Sequence, residues 1–228
     1  MQHVIEGLER QIQEKHLLKH AFYRAWSEGK LSKNVLKDYA LEYYHHVRAF
    51  ATYIAGLLSH LEEDAQQTRK ELFQNLFDEE AGNPNHPQLW RSFAVECGAS
   101  EQELEEHTAS PEIRHLIATF RTICRNGSTA AGLAALYAYE SQIPEICVSK
   151  IAGLRQFYGW EHPKQWEYFT VHIAADQEHA RAEREMLARH LHEKQIVEVK
   201  ESVQQVLDAL WNFLSSLVVK HGIHCQAA

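Results

Sequence analysis

Apolar side chains recur at three- and four-residue spacing along nearly the whole chain, and no useful stretch alternates with the two-residue period of a half-buried strand. Glycine and proline, 10 and 5 in 228 residues, fall where those runs would stop. From Ser32 onward, Val35, Leu36, Tyr39, Tyr43, Val47 and Phe50 line one helix face, with Ser32 as its cap. Other start signals are the Ser100/Glu103 capping box, Ser110 before Pro111, and Ser128 ahead of a long apolar run. Gly29, Gly82, Gly98, Gly127 and Gly159 are the stops. This pattern predicts helices near residues 3–27, 33–60, 65–81, 87–97, 111–125, 129–157, 164–191 and 196–219.

With no internal repeat or low-complexity linker, the reading is one all-α domain over residues 1–219, with residues 220–228 a short tail expected to be disordered and Cys225 exposed in it. Hydrophobic residues at 45% and charged residues at 24% exclude a chain too polar to bury a core. A formal charge of -8 argues against nucleic acid or an anionic membrane surface as partner, since both require clustered Lys and Arg. No apolar run approaches the roughly 20 residues that span a bilayer, and residues 1–10 lack the basic-then-apolar layout of a signal peptide, so a cytoplasmic location is expected. The four cysteines have no C-x-x-C spacing, which leaves zinc knuckles and thioredoxin-like sites without support.

Helical bundles build their sites from inward-pointing side chains, and the 16 histidines direct the search. In His172-Ile-Ala-Ala-Asp176-Gln-Glu-His179, steps of four and three put two imidazoles and a carboxylate on one helix face, a donor set that suits iron, manganese or zinc. The acid-to-His step of three also occurs at Glu42/His45 and Glu112/His115, so spacing alone equally describes a solvated face. Glu140 follows one of the most apolar stretches of the chain, where a buried carboxylate needs a partner or a cation. Asp78, Glu79, Glu80 and His86 gather around a helix breaker, which on its own reads as an acidic helix end and a turn. Tyr137, three before Glu140, and Tyr168, four before His172, should share faces with these candidates.

Four separated segments agree in order and spacing with a known family. Asp78-Glu-Glu-x-Gly-x-Pro-Asn-His86-x-x-Leu-Trp90, Ala135-Leu-Tyr-x-Tyr-Glu140-Ser-Gln-Ile-Pro144, His172-x-x-x-Asp176-x-x-His179-Ala-Arg and Lys15-His-x-Leu-x-His-x-Phe-Tyr23-x-x-Trp-Ser resemble the chlamydial "protein associating with death domains" family. That family is a branch of the haem-oxygenase-like di-metal oxidases, and the resemblance spans roughly residues 10–190. It implies a haem-oxygenase-like (TenA/PqqC-like) bundle of seven to eight helices around two divalent metal ions, iron with iron or manganese, that activate O₂ with an external reductant. It further implies six ligands, Glu79, His86, Glu140, His172, Asp176 and His179. Periodicity does not choose between Glu79 and Glu80; the match selects Glu79.

Members of that family are implicated in making p-aminobenzoate, the folate precursor, from one of their own tyrosines with a lysine as amine donor. The matching residues are Tyr23 and Lys150, with Tyr39 as a second active-site tyrosine that relays an electron or radical. On an ideal helix Lys150 lies some 80° from the Glu140 face, with Pro144 between them as a source of a kink. Three other readings compete: a di-metal oxidase with an external small-molecule substrate, a metal-free thiaminase-like or quinone-cofactor-synthase-like enzyme, and a death-domain interaction protein. The sequence shows no specialised tail or unpartnered apolar face for the last. A homodimer is expected from the size of the bundle.

Overall fold

The computed structural model describes residues 1–223. Eleven α-helices and no strand occur among them: α1 (Gln2–Glu14), α2 (Ala21–Ser27), α3 (Lys33–Leu58), α4 (Gln66–Glu80), α5 (His86–Glu96), α6 (Glu101–Glu106), α7 (Pro111–Asn126), α8 (Thr129–Glu140), α9 (Ile143–Phe157), α10 (Glu167–His190) and α11 (Ile196–Lys220). Helix occurs within every expected range, although two of the ranges are split. The caps at Ser32, Ser100, Ser110 and Ser128 each accept the backbone N–H three residues on.

The centre of the bundle is α8. Its residues Ala130 to Glu140 are all buried, as expected of a helix apolar around its full circumference. Ala131, Gly132, Ala134, Ala135 and Ala138 keep it thin, so that α3, α7, α10 and α11 all pack around it. A Cβ on Gly132 would lie 2.7 Å from Leu57 Cδ1, which shows how close the α3 side comes.

Two expected helices are each broken in two, and both breaks shape the site. The run expected over 3–27 stops at Glu14 and restarts at Ala21 through a 3₁₀ turn, Leu17–Lys19. His16 Nδ1 accepts the Leu18 N–H and His20 Nδ1 accepts the Phe22 N–H, while the Leu17 N–H reaches Gln142 Oε1 at 2.9 Å. The run over 129–157 divides at Ser141–Gln142, because a continued helix would drive the Pro144 ring into the Glu140 carbonyl. Glu140 therefore terminates α8, and α9 starts with a fresh rotational phase. The expected start at 164 is a 3₁₀ turn, Pro163–Trp166, ahead of α10, and α6 is an additional short helix on the Ser100 capping box. α11 continues to Lys220, and His221 Nε2 bonds Asp38 at 2.7 Å, so the first of the residues expected to be a disordered tail are ordered; residues 224–228, with Cys225, lie outside the described residues.

α9 rests on α2 through Gly153, where an added Cβ would lie 2.7 Å from Trp26 Cδ1, 2.9 Å from Nε1 and 3.2 Å from its carbonyl oxygen. Trp26 is buried and its indole N–H donates to the Lys150 carbonyl, so the ring cannot withdraw freely. Alanine's better helix propensity is worth up to about 1 kcal/mol, less than the overpacking. Gly153→Ala is expected to lower stability by about 1–2 kcal/mol, read as a lower urea midpoint at unchanged slope.

Candidate metal centre

Four helices bring the six ligand candidates to one buried place. α4 supplies Glu79 at its C-terminal end; α5 opens on His86, whose position is set by the Asn85/Gln88 capping box. Glu140 ends α8, and α10 presents His172, Asp176 and His179 on one face. All six side chains are buried. They form two groups, Glu79/His86/His172 and Glu140/Asp176/His179, and within each the potential ligand atoms lie within 4.8 Å of one another. The His86 and His172 rings stand 4.1 Å apart.

Hydrogen bonds at the back of the rings fix which nitrogens face inward. His172 Nδ1 donates to the Tyr168 carbonyl at 2.7 Å and the Tyr168 ring stacks on it at 3.9 Å, leaving Nε2 with a free lone pair. His179 Nε2 donates to Asp78 Oδ2 at 3.0 Å, and Asp78 is itself held by Gln74. Glu140 receives both N–H groups of Asn75 at 3.2 Å. Such outer contacts orient ligating side chains and raise their basicity.

The inward atoms fit a cation better than they fit one another. His86 Nδ1 lies 2.9 Å from Glu79 Oε1 without the alignment of a hydrogen bond, and His179 Nδ1 lies 3.5 Å from Asp176 and 3.8 Å from Glu140 with no bonded partner. Among the described residues, the ion pairs of Glu79, Glu140 and Asp176 are with imidazoles only. Burial drives the Asp176 carboxyl well above the usual range, and nearby Glu140 and Glu79 add to it. Burial alone would lower His179, but the nearby Asp176, Glu140 and Asp78 carboxylates carry it well above the ordinary imidazole value. Two divalent ions would balance this buried charge, and the mixed N/O donors suit iron or manganese. A third group, Asp38/Glu42/His107, is nearer the surface, and Lys220 and His221 already pair with Asp38.

Tyr23, Tyr39 and Lys150 converge beside this centre. Lys150 Nζ donates to the Tyr39 hydroxyl at 2.7 Å, and the Tyr39 and Tyr23 hydroxyls are 3.2 Å apart. The ammonium lies 4.9–5.8 Å from the ring centroids of Tyr23, Trp26, Tyr39, Tyr43, Trp90 and Phe169. Lys150 lies on the buried face of α9 with Ile146, Cys147, Gly153 and Leu154. Burial pulls its amine down to about 8.

Sequence reasoning missed two tyrosines. Tyr139, not Tyr137, lines the small cavity at the centre together with Glu79, Glu140, Tyr168, His172 and Asp176. Tyr137 turns away to donate to Glu9. Tyr43 donates to the Tyr139 hydroxyl at 2.9 Å and stacks on Tyr39 at 5.4 Å, so phenols continue from the cavity to Tyr23. Its signal was the step of four from Tyr39 on one face of α3.

An all-helical bundle with paired carboxylate–imidazole clusters at its centre is of the class that can hold metal ions between its helices. The chain belongs to the iron-containing redox enzyme family, matched over residues 37–211. It is 48% identical over 214 residues to a 4-aminobenzoate synthase of Chlamydia pneumoniae, covering 94% of each chain. A 4-aminobenzoate synthase of Nitrosomonas europaea is 43% identical over 223 residues, covering 94% of this chain and 89% of that one. A TenA homologue from Pseudomonas syringae has the same fold, with a TM-score of 0.79 at 18% identity over 93% of each chain. No helix among the described residues is long and apolar enough to cross a membrane.

The Lys150 amine gives a signed pH dependence. Unfolded, it stays charged up to about 10.5; folded, it is neutral above about 8. Below pH 8 the native state carries a buried ammonium, at a cost of about 3 kcal/mol. Lys150→Met is therefore expected to be more stable than the wild type at pH 7 by up to about 3 kcal/mol. The gap should close as pH rises from 8 to 10.5, and paired urea titrations across that range check it.

Proposed function

We propose that this chain makes 4-aminobenzoate from its own Tyr23, in an O₂-dependent reaction at two divalent metal ions held by Glu79, His86, Glu140, His172, Asp176 and His179. The metals, iron with iron or manganese, supply O₂ activation and one-electron oxidation, with electrons from an external reductant. Tyrosine already carries a para-substituted six-carbon ring. The conversion breaks the Cα–Cβ bond, oxidises Cβ to a carboxylate with oxygen from O₂ or water, and replaces the phenolic oxygen with nitrogen. Lys150 is the nitrogen source in this reading: Nζ bonds to the ring carbon as the phenolic oxygen leaves as water, and the Cε–Nζ bond then breaks as Cε is oxidised by two electrons to an aldehyde, with O₂ as the oxidant.

The observation that carries it is the sealed meeting of a phenol and an amine. Tyr23 is 4% exposed, and the Lys150 nitrogen lies 5.4 Å from its ring centroid. An amine near 8 has a neutral fraction with a free lone pair at neutral pH, as a nucleophile requires. Tyr39 holds both groups through its hydroxyl, and Tyr43 and Tyr139 continue the phenol series to the cavity, supporting electron and proton transfer along it. That cavity, about 10 Å³, has room for one water-sized molecule but none for a metabolite. The relatives that bear the name 4-aminobenzoate synthase support the product assignment.

Protein carrying ring-labelled tyrosine and loaded anaerobically with Fe²⁺, alone or with Mn²⁺, should on addition of reductant and O₂ release labelled 4-aminobenzoate, at no more than about one per chain. Tyr23→Phe is expected to release none while binding the same metal. His86→Ala and Asp176→Ala should each lower metal content. Multiple turnovers with unlabelled product would identify an external substrate instead.

A further inference from the structure

The acid-to-His step at Glu42/His45 lies away from the central cluster, and it is not the solvated face that spacing alone allowed. Glu42 is 5% exposed, on α3 one turn beyond Asp38. Its Oε2 accepts the Ser110 N–H at 3.0 Å, whereas its Oε1 has no hydrogen bond among the described residues and faces His107 Nε2 at 3.7 Å. His107, the residue that closes α6, is held from behind, its Nδ1 3.1 Å from His45 Nε2. Asp38 completes the group: the potential ligand atoms of Asp38, Glu42 and His107 lie within 4.8 Å of one another.

That spacing suits an ion between the groups better than a direct bond. At 3.7 Å, Glu42 Oε1 and His107 Nε2 are beyond hydrogen-bond reach. Two donors bound at roughly 2.0–2.2 Å to a tetrahedral zinc-type ion stand about 3.4 Å apart. With His107 Nδ1–H donating to His45 Nε2, the Nε2 lone pair is free for a metal, the way ligating imidazoles are held. Asp38 is oriented by Lys220 at 2.9 Å and His221 at 2.7 Å. Glu42 and Lys220 also line an open hollow of about 790 Å³ between α3, α7 and α11, with Glu112 and His115 on its walls. We propose that Asp38, Glu42 and His107 bind one divalent transition-metal ion of zinc type, separate from the two at the centre, with a fourth position open to water or a small anion in the hollow. Three protein donors and one open position are the pattern of a site that exchanges ligands. The Lys220 side chain, 56% exposed, is the competing cation and is free to swing aside when the ion enters.

The test is equilibrium dialysis of the metal-free full-length chain against Zn²⁺, followed by metal analysis. Wild type is expected to hold three ions, and Glu42→Gln and His107→Ala one fewer each, at unchanged helix content by circular dichroism. A chain carrying both His86→Ala and Asp176→Ala should keep this ion and lose it when His107→Ala is added; with Co²⁺ as the probe, its visible ligand-field bands should vanish at the same step. The site therefore stands or falls apart from the central one. His45→Phe should weaken the ion about 10–100-fold, and Lys220→Met should tighten it about fivefold, the effect of one like charge near 4 Å in water. Adventitious binding by surface histidines would respond to neither. Should Glu42→Gln fail to fold for want of the Ser110 acceptor, His107→Ala carries the same comparison. Metal content that His107→Ala leaves unchanged overturns the proposal. A wild-type chain that holds a single ion, lost in His107→Ala, supports the site and overturns the central reading instead.

Discussion

The structure turns on an accumulation of acid where water cannot reach it. Glu79, Glu140, Asp176 and Glu183 are all buried, and the groups that face them are imidazoles, an amide and one another. In a low-dielectric interior such a group of carboxyls is tolerated only with protons or cations between them. Much of the surrounding architecture follows. The thin, fully buried α8 carries Glu140 to the middle, Pro144 ends that helix at Glu140, and histidines on α5 and α10 come in from opposite sides. The bundle supplies a dry frame, and the acid cluster makes that frame a candidate binding site for metal.

A second polar island lies beside the first, enclosed by rings. Lys150 stands among six aromatic faces whose quadrupoles favour a cation, while burial pulls its amine down to about 8. Tyr39 touches the amine and Tyr23 at once, and Tyr43 stacks on Tyr39 while bonding Tyr139 at the cavity wall. The two islands are therefore continuous through phenols.

Periodicity and caps made most of the helices legible, because an amphipathic face and a serine before it are local properties. The breaks at His16–His20 and Ser141–Gln142 were not. Histidine is a weak capping signal, and Leu17 finds its partner in Gln142, far along the chain. The second break restarts the helix between Glu140 and Lys150, so an ideal-helix angle cannot be carried across it. The six ligand candidates were recognisable through motif resemblance, but their division into two groups depends on tertiary distances. Glu183 was overlooked because a glutamate in a helix rich in Glu and Arg reads as solvated. Its burial comes from α8 packing close against α10, not from anything in its own neighbourhood. Tyr139 displaced Tyr137 for a similar reason: both phases on α8 are buried, and only the neighbouring helices determine which one meets the cavity.

Tyr23 is wedged among Phe22, Tyr39 and the Lys150 cage on a helix of only seven residues. Under the proposed reaction, a chain that surrendered that ring would become, without any change in its gene, the equivalent of a large-to-small core mutant, with a void the surrounding rings could fill only in part. Losses of this kind cost about 3–5 kcal/mol, a large share of a typical domain's total stability. The spent molecule would then open more often than the fresh one and be taken first by cellular proteases, so that the same burial which keeps the reagent ready also marks the chain once it has been used.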